Sequence, residues 1–362
     1  MDEKIVKVEC FMLGIPRDTP YLGALGPEDV VTKGGCFVRA GNSGIYSLRD
    51  HSLLVRVTSG SGAYGWGECV TVVAPQVASS IVEQILEPLA LNKNAMDVVQ
   101  ITEGMYDAMR LRGFFGGFYQ DAIAAVDIAL WDLKGKLLGV PVCQLLGGER
   151  HKQLKAYVSG LPLPTQAERA DLARAFQDRG FDAVKVPIIV NLAHPEREVE
   201  SLRRALGDEA KILVDMHWKY SALEAIKVIG RMDEFDLYVA EAPCNAEDME
   251  GQAQVAASVR TNVAIGEELR TVFEYKPRYV NRCMNIIQPE MGRMGVTQFW
   301  QVCQMARAFH QGVMPHGSIG IGVFLAASLQ ASAACSQFIA HEYQHSIVDG
   351  NLRYLKGNLA VG

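Results

Sequence analysis

The sequence predicts an α/β chain whose larger part is a parallel (β/α) barrel, preceded by a smaller region of strands and helices. Three observations predict it. After about residue 150, short apolar runs alternate with helical segments eight times, mostly about 25 residues apart. Nearly every run ends in a polar residue able to do chemistry. Residues 1–70 instead alternate like strands, and residues 76–138 carry a helical pattern. The alternative is an open doubly wound sheet. Barrel strands bring all their C-terminal ends to one mouth, whereas an open sheet spreads them along an edge. The succession of reactive strand ends therefore favours the barrel.

Composition sets bounds on function. A chain of 362 residues suggests about two domains. With 49% hydrophobic and 21% charged residues it can bury a large core. A net charge of −6 offers no basic excess to displace counterions, which argues against a nucleic-acid partner. The start MDEKIVKVEC lacks the basic and apolar regions of a signal peptide. The apolar stretch Ile319–Ala334 is interrupted by Gly, Ser and Gln, so it reads as a buried helix and not as a membrane span. Eight scattered cysteines form no CxxC pair, and Cys10, Cys36, Cys143, Cys283 and Cys303 sit beside apolar residues. They read as reduced core thiols of a cytoplasmic protein.

The elements follow in order. His51–Thr58 (HSLLVRVT), then SGSGAYGWGE, reads as strand, turn, strand. Gly60, Gly62 and Gly65 spell a formal GxGxxG, but they lead into GWGE and not into an apolar helix. No helix N-terminus is available there for a pyrophosphate, so the stretch is a hairpin turn. Gly113–Tyr119 (GFFGGFY) reads as a loop. Asp121–Leu138 carries apolar residues at i, i+3, i+4 and stops at Gly139 with Pro141 beyond, as a helix does. The eight barrel runs are AYVSGL, DAVKVPI, KILVD, LYVAE, VAIGE, NIIQPE, GVMPH and SQFIAHE.

Their ends carry the chemistry: Lys185, Asp215 with His217, Glu241, Glu267, Glu290, His316 and Glu342. A lone carboxylate after a strand is commonly a helix N-cap. Seven such ends in successive units exceed what capping explains. Asp215, Glu241 and Glu267 come from adjacent strands and offer only oxygen. Three carboxylates at one mouth repel without a cation, and oxygen ligation favours Mg2+ over Zn2+. Glu290 and His316 come from the next two strands. A carboxylate beside an imidazole orients the ring and raises its basicity, making His316 a general-base candidate. Lys185, on the other flank, is placed to hold a substrate carboxylate.

These residues resemble the enolase superfamily in its mandelate racemase/muconate lactonizing branch. The likeness runs through GWGE, AAVDIALWDLKGKLLGVPV, AVKVP, LVDMH, AEAP, IGEE, IIQPEMGRMG and MPHG. It implies a (β/α)7β modified TIM barrel under an α+β N-terminal capping domain completed by the C-terminal segment. The implied divisions are 1–125 for the cap, 126–335 for the barrel, and 336–362 for the last strand and the segment returning to the cap. It further implies Asp215, Glu241 and Glu267 as Mg2+ ligands, Glu290–His316 as the catalytic dyad, and Glu342 as an acid that hydrogen-bonds substrate or its enediolate. The implied activity is removal of a proton α to a carboxylate, and the implied assembly is a symmetric homo-oligomer. Two departures stand out. The branch often has Lys-x-Lys on the second strand, where this chain has Lys185-Val186-Pro187. The dyad acid is Glu290 where Asp is usual.

Pro187 removes the usual base on one face of the α-carbon, so a one-base reaction fits best. His316 takes the proton, and a β-hydroxyl leaves with a proton from His217, two residues past Asp215. Asp-x-His at this place resembles acid-sugar dehydratases of the galactonate dehydratase kind. The expected reaction is dehydration of an aldonate or aldarate to a 2-keto-3-deoxy acid. The competing readings are a racemase, epimerase or cycloisomerase, and a non-catalytic binder of sugar acids. Substrate contacts are expected from Arg17, Tyr21, Lys33 and Arg49 in the cap, and from Trp218, Lys219 and Tyr220 after the third strand.

Overall fold

The structure is a computed structural model and describes residues 3–32, 34–40 and 43–354. The first region is built on strand β1 (Ile5–Pro16), with β2 (Val30–Val31), β3 (Cys36–Val38), β4 (Ile45–Ser47), β5 (Arg49–Ser59) and β6 (Tyr64–Val70) following. β1, β5 and β6 form one antiparallel sheet, and β2, β3 and β4 form a smaller one. Along β5 the residues Leu53, Val55 and Val57 are fully buried while Leu54 and Arg56 turn to the other face. This period of two marks a sheet covered mainly on one side. The GxGxxG stretch is the β5–β6 turn, with Ser59 N–H bonded to the Ala63 carbonyl at 2.8 Å and Gly62 at φ 85°.

The covering layer is the helix Gly117–Leu138. It starts at Gly117, inside the stretch expected to be a loop: Gly116 is extended, Gly117 takes φ 58°, and the chain turns into the helix there. Gly65 and Gly67 let β6 lie directly on it. A Cβ on Gly67 would stand 1.8 Å from the Ala125 carbonyl oxygen, and one on Gly65 2.0 Å from that of Ala129. Glycine inside this strand therefore serves close backbone approach.

Eight parallel strands follow: β7 (Ala156–Ser159), β8 (Ala183–Pro187), β9 (Lys211–Asp215), β10 (Val239–Glu241), β11 (Asn262–Ile265), β12 (Ile286–Ile287), β13 (Gly312–Val313) and β14 (His341–Gln344). From β7 to β13 consecutive strands pair, and β14 pairs with β7. The run SQFIAHE becomes regular strand only at His341. Its earlier part leans the other way, with Phe338 bridged to Val313 of β13. The last segment thus touches both edges and closes the barrel.

Tyr157, Ala183, Leu213, Val239, Ala264, Ile286, Met314 and Ala340 fill the interior as one buried cluster. This layer explains the site above it. Side chains two apart on a strand share a face. Ala183 therefore places Lys185 above it, and Leu213, Val239, Met314 and Ala340 do the same for Asp215, Glu241, His316 and Glu342. Two strands break step. Gly266, at φ 134°, inserts a residue before Glu267, and Glu290 comes four residues after Ile286 with Gln288 between.

The described C-terminal residues return to the cap. Gln344 donates to the Tyr21 hydroxyl at 3.0 Å, and Arg353 lies 3.5 Å from Asp18. Six of the eight cysteines are buried and all are free thiols. Among the described residues no helix is long and apolar enough to cross a membrane.

Candidate active site at the barrel mouth

The strand ends meet the cap around a cavity of about 290 Å³. Its floor is charged and buried. Lys185 Nζ lies 2.7 and 2.9 Å from the Glu241 oxygens and 2.9 Å from Glu342 Oε1. It sits over the Tyr157 ring at 5.7 Å. Gln288 Nε2 donates to Glu241 Oε2 at 2.5 Å, the oxygen that also accepts Lys185 at 2.9 Å. Burial opposes a charge on Lys185, but Glu241 and Glu342 outweigh it and hold the ammonium well above its ordinary pKa. Burial pushes the Glu241 carboxyl up to about 8 against the pull of Lys185, and Asp215, Glu342 and Glu267 add to the rise.

The dyad is formed. His316 Nδ1 donates to Glu290 Oε2 at 2.7 Å. The other Glu290 oxygen accepts the Gly292 N–H at 3.0 Å, so Glu290 caps the helix Met291–Ala308 while it orients the ring. His316 Nε2 lies 2.5 Å from Glu267 Oε2 and 3.7 Å from Glu342 Oε2. Burial disfavours its charged ring, yet Glu267 and Glu342 raise it well above the usual histidine range. Glu267, although buried, is held low by the charge and hydrogen bond of His316.

The helix after Glu290 breaks at Gly295 (φ 69°, ψ 172°). Asp127, from the cap-covering helix, caps the restart: it accepts the Thr297 N–H at 2.9 Å and the Thr297 hydroxyl. Burial pushes Asp127 up to about 6 despite these bonds.

His217 is aimed by backbone. His217 and Trp218 both hold left-handed conformations, at φ 49° and 50°. Such values are uncommon outside glycine and cluster at functional turns. The turn is held by Trp218 N–H on the Ala242 carbonyl at 2.7 Å. Asp215 Oδ1 accepts the His217 backbone N–H at 2.9 Å and lies 3.1 Å from Nδ1. Burial raises the Asp215 carboxyl, Glu267 adds to the rise, and His217 and Lys185 oppose it.

Ligand-capable atoms of Glu241, Glu267 and His316 lie within 4.8 Å of one another. Asp215, the third expected ligand, faces the same cavity with Glu267 but turns Oδ1 to His217. The donor set suits a hard cation. Asp215, Glu241, Glu267, Glu290 and Glu342 crowd one mouth, where Lys185, His316 and His217 are the cationic or ionisable groups in contact with them among the described residues.

Of the expected substrate contacts, Tyr21 and Trp218 line the cavity. Arg17 does not, because its guanidinium is held 2.7 Å from Asp50. Arg49 reaches back to the Gly14 carbonyl at 3.4 Å. Lys219 is exposed at the rim, and Tyr220 is bridged to Cys244 beside the mouth. Lys185, expected to meet a substrate carboxylate, is engaged with Glu241 and Glu342. Lys33 lies outside the described residues. Gln288, two residues before Glu290, also serves the floor, and period two from Glu290 identifies it. Arg39, whose bonds to Tyr21, Gly23, Ala24 and Asp29 shape the loop over the cavity, and Arg293, which lines it, carry no pattern in the sequence that marks them.

Comparison with known proteins agrees with this architecture. Residues 47–147 match the mandelate racemase / muconate lactonizing enzyme N-terminal domain, and residues 168–361 match the enolase C-terminal domain-like family. The D-gluconate dehydratase of Thermoproteus tenax is 30% identical over 297 residues, 78% of this chain but only 59% of that relative's length. The D-xylonate dehydratase of Haloferax volcanii is 28% identical over 80% of this chain and 74% of its own. The D-galactarolactone cycloisomerase of Agrobacterium fabrum is 29% identical over 80% and 76%. Among solved structures, an enolase-superfamily member from Agrobacterium tumefaciens is 42% identical, with a TM-score of 0.96 over 100% of this chain and 93% of that one. A racemase from Streptomyces coelicolor A3(2) with bound magnesium is 26% identical, with a TM-score of 0.81 over 94% and 89%. Matched in both its cap and its barrel, the chain belongs to the mandelate racemase/muconate lactonizing branch of the enolase superfamily.

Proposed function

We propose that the chain is a Mg2+-dependent sugar-acid dehydratase. The observation that carries this reading is the pairing of two differently supported histidines on one cavity, His316 on Glu290 and His217 on Asp215, with Pro187 where an opposite-face base would stand. Dehydratases of D-gluconate and D-xylonate among the relatives support it.

Asp215, Glu241 and Glu267 would hold the cation. When bound, it supplies the Lewis-acid pull on the substrate carboxylate that makes the α-proton removable. His316 accepts that proton at Nε2 once Glu267 is engaged as a ligand, and Glu290 keeps the ring oriented through Nδ1. The electrons of the broken C–H bond form the enediolate. They then expel the β-hydroxyl, which leaves as water with a proton from His217, and the resulting enol tautomerises to the 2-keto-3-deoxy acid. Glu342, fixed by Lys185 and the Gly317 N–H, stands beside the developing enediolate. Buried thiols suit a reducing compartment, which favours a cytoplasmic location. The resemblance also carries the expectation of a homo-oligomer, for which the exposed Leu111, Phe114 and Phe115 are the face to examine by light scattering.

The test uses aldonic and aldaric acids with Mg2+, read by semicarbazide for 2-keto product and by NMR in D2O for α-exchange. His316→Asn should abolish both. His217→Asn should block elimination and leave measurable exchange. Normal dehydration by the His217 variant would remove it as the acid. Racemised or cyclised product without 2-keto acid would favour the second reading, which the D-galactarolactone cycloisomerase relative supports.

A further inference from the structure

Arg293 is the cation of the cavity that the mechanism leaves unused. It comes off the first turn of the helix Met291–Ala308, its N–H bonded to the Glu290 carbonyl at 3.1 Å. Its side chain lines the same cavity as His316, Glu267 and Asp215, and it is half-buried. Its Nε is buried without a partner. Among the described residues the guanidinium makes neither an ion pair nor a hydrogen bond. The nearby carboxylate it acts on at longer range, Asp121, is already held by the fork of Arg270 at 2.7 and 3.2 Å. The other cations around the mouth are also committed: Lys185 to Glu241 and Glu342, Arg17 to Asp50, Arg39 to Asp29. The rest of the wall near the cap is neutral, with Tyr21, Leu22, Ile45, Tyr46, Val72 and Ile319.

A half-buried guanidinium with no carboxylate in contact and a buried, unpartnered Nε is a costly arrangement, and a carboxylate relieves it best, through paired charged hydrogen bonds. A hydroxyl would leave the charge uncompensated. The position also matters. The expected cation ligands come from β9, β10 and the end of β11, whereas Arg293 follows the dyad acid after β12. Asp215, Glu267, Arg293 and His316 line one cavity, so an acid with one carboxylate at the ligands and a second at Arg293 would share that cavity with His316. We infer that Arg293 is the seat of a second substrate carboxylate, so that the substrate is a diacid of the aldarate class. This rests on the sugar-acid reading above.

The test separates the two. Binding of unreactive diacids of three to six carbons is measured calorimetrically in the presence of Mg2+, each against its own monoamide. The monoamide keeps the shape and removes one charge. At least one diacid should bind wild-type protein ten or more times tighter than its monoamide. Arg293→Met should erase that ratio and Arg293→Lys should keep part of it, with both variants checked for an unchanged melting profile. In turnover, the kcat/KM ratio of aldarate over aldonate should fall at least tenfold in Arg293→Met. Diacids that bind no tighter than monoamides, or an Arg293→Met variant that weakens both equally, would overturn the assignment. If no sugar acid is turned over while the binding ratio holds, the dehydratase reading falls and the assignment of Arg293 stands.

Discussion

Lys185 is the residue on which the buried charges at the mouth depend. Its side chain is only 4% exposed, and its ammonium serves Glu241 and Glu342 together. Removing one partner of a buried ion pair leaves an uncompensated charge, at a cost of about 3–5 kcal/mol. Lys185→Met should therefore unfold at clearly lower urea concentration in metal-free buffer. Added Mg2+ should restore part of the loss, because a cation can answer the same carboxylates. An equal urea midpoint for wild type and variant without metal would show that Lys185 does not carry this load. At this scale the sequence was readable where period two applied. Asp215, Glu241, His316 and Glu342 each stand two residues above a core side chain. The partner of Lys185 was not readable, since Glu342 lies at the far end of the chain and meets it only when the barrel closes.

The stretch GWGE shows how an element can be recognised and its purpose missed. Its glycines set the distance between β6 and the helix Gly117–Leu138, and its acid reaches across to the barrel. Glu68 accepts N–H groups of Ile321, Val323 and Phe324 at 2.6, 2.7 and 3.1 Å, together with the Ser52 hydroxyl. It thereby caps the helix Val323–Ala334 and holds the loop that brings Ser318 and Ile319 to the cavity. Gly67→Ala would force the strand off the helix, an overpacking that costs about 1–3 kcal/mol or more. The expected result is a melting temperature several degrees lower, read by circular dichroism; an unchanged melt would mean that the two layers can slide apart freely. Helix starts leave a weaker trace in the sequence for a related reason. The turn at Gly117 is set by backbone freedom at two glycines and by the sheet beneath, neither of which leaves a periodic trace.

Across the whole molecule, cap and barrel share one buried titration. Asp127 reaches from the cap-covering helix to cap a barrel helix, and its carboxyl sits near 6 where the unfolded chain has 3.8. A carboxyl raised on folding adds stability that is full below the unfolded value and is lost as pH climbs through the folded one. Between pH 3.8 and about 6 this group should remove about 3 kcal/mol. Asp127→Asn should abolish that slope. The difference in urea midpoint, wild type minus variant, should fall as pH rises from 4 to 7, and a flat difference would show that the carboxyl is unshifted. Barrel order was legible from the strand ends because a closed sheet must gather them. The shape of the cavity was not, because Tyr21 and Trp218 on loops and Arg293 on a helix's first turn are brought together from both regions. The closing strand has a last consequence, for synthesis. Until β14 emerges, β7 and β13 are open edges able to recruit other chains. Glu342 and Gln344 arrive on that same strand, so a chain released before β14 should leave both edges exposed and lack two residues of the cavity wall.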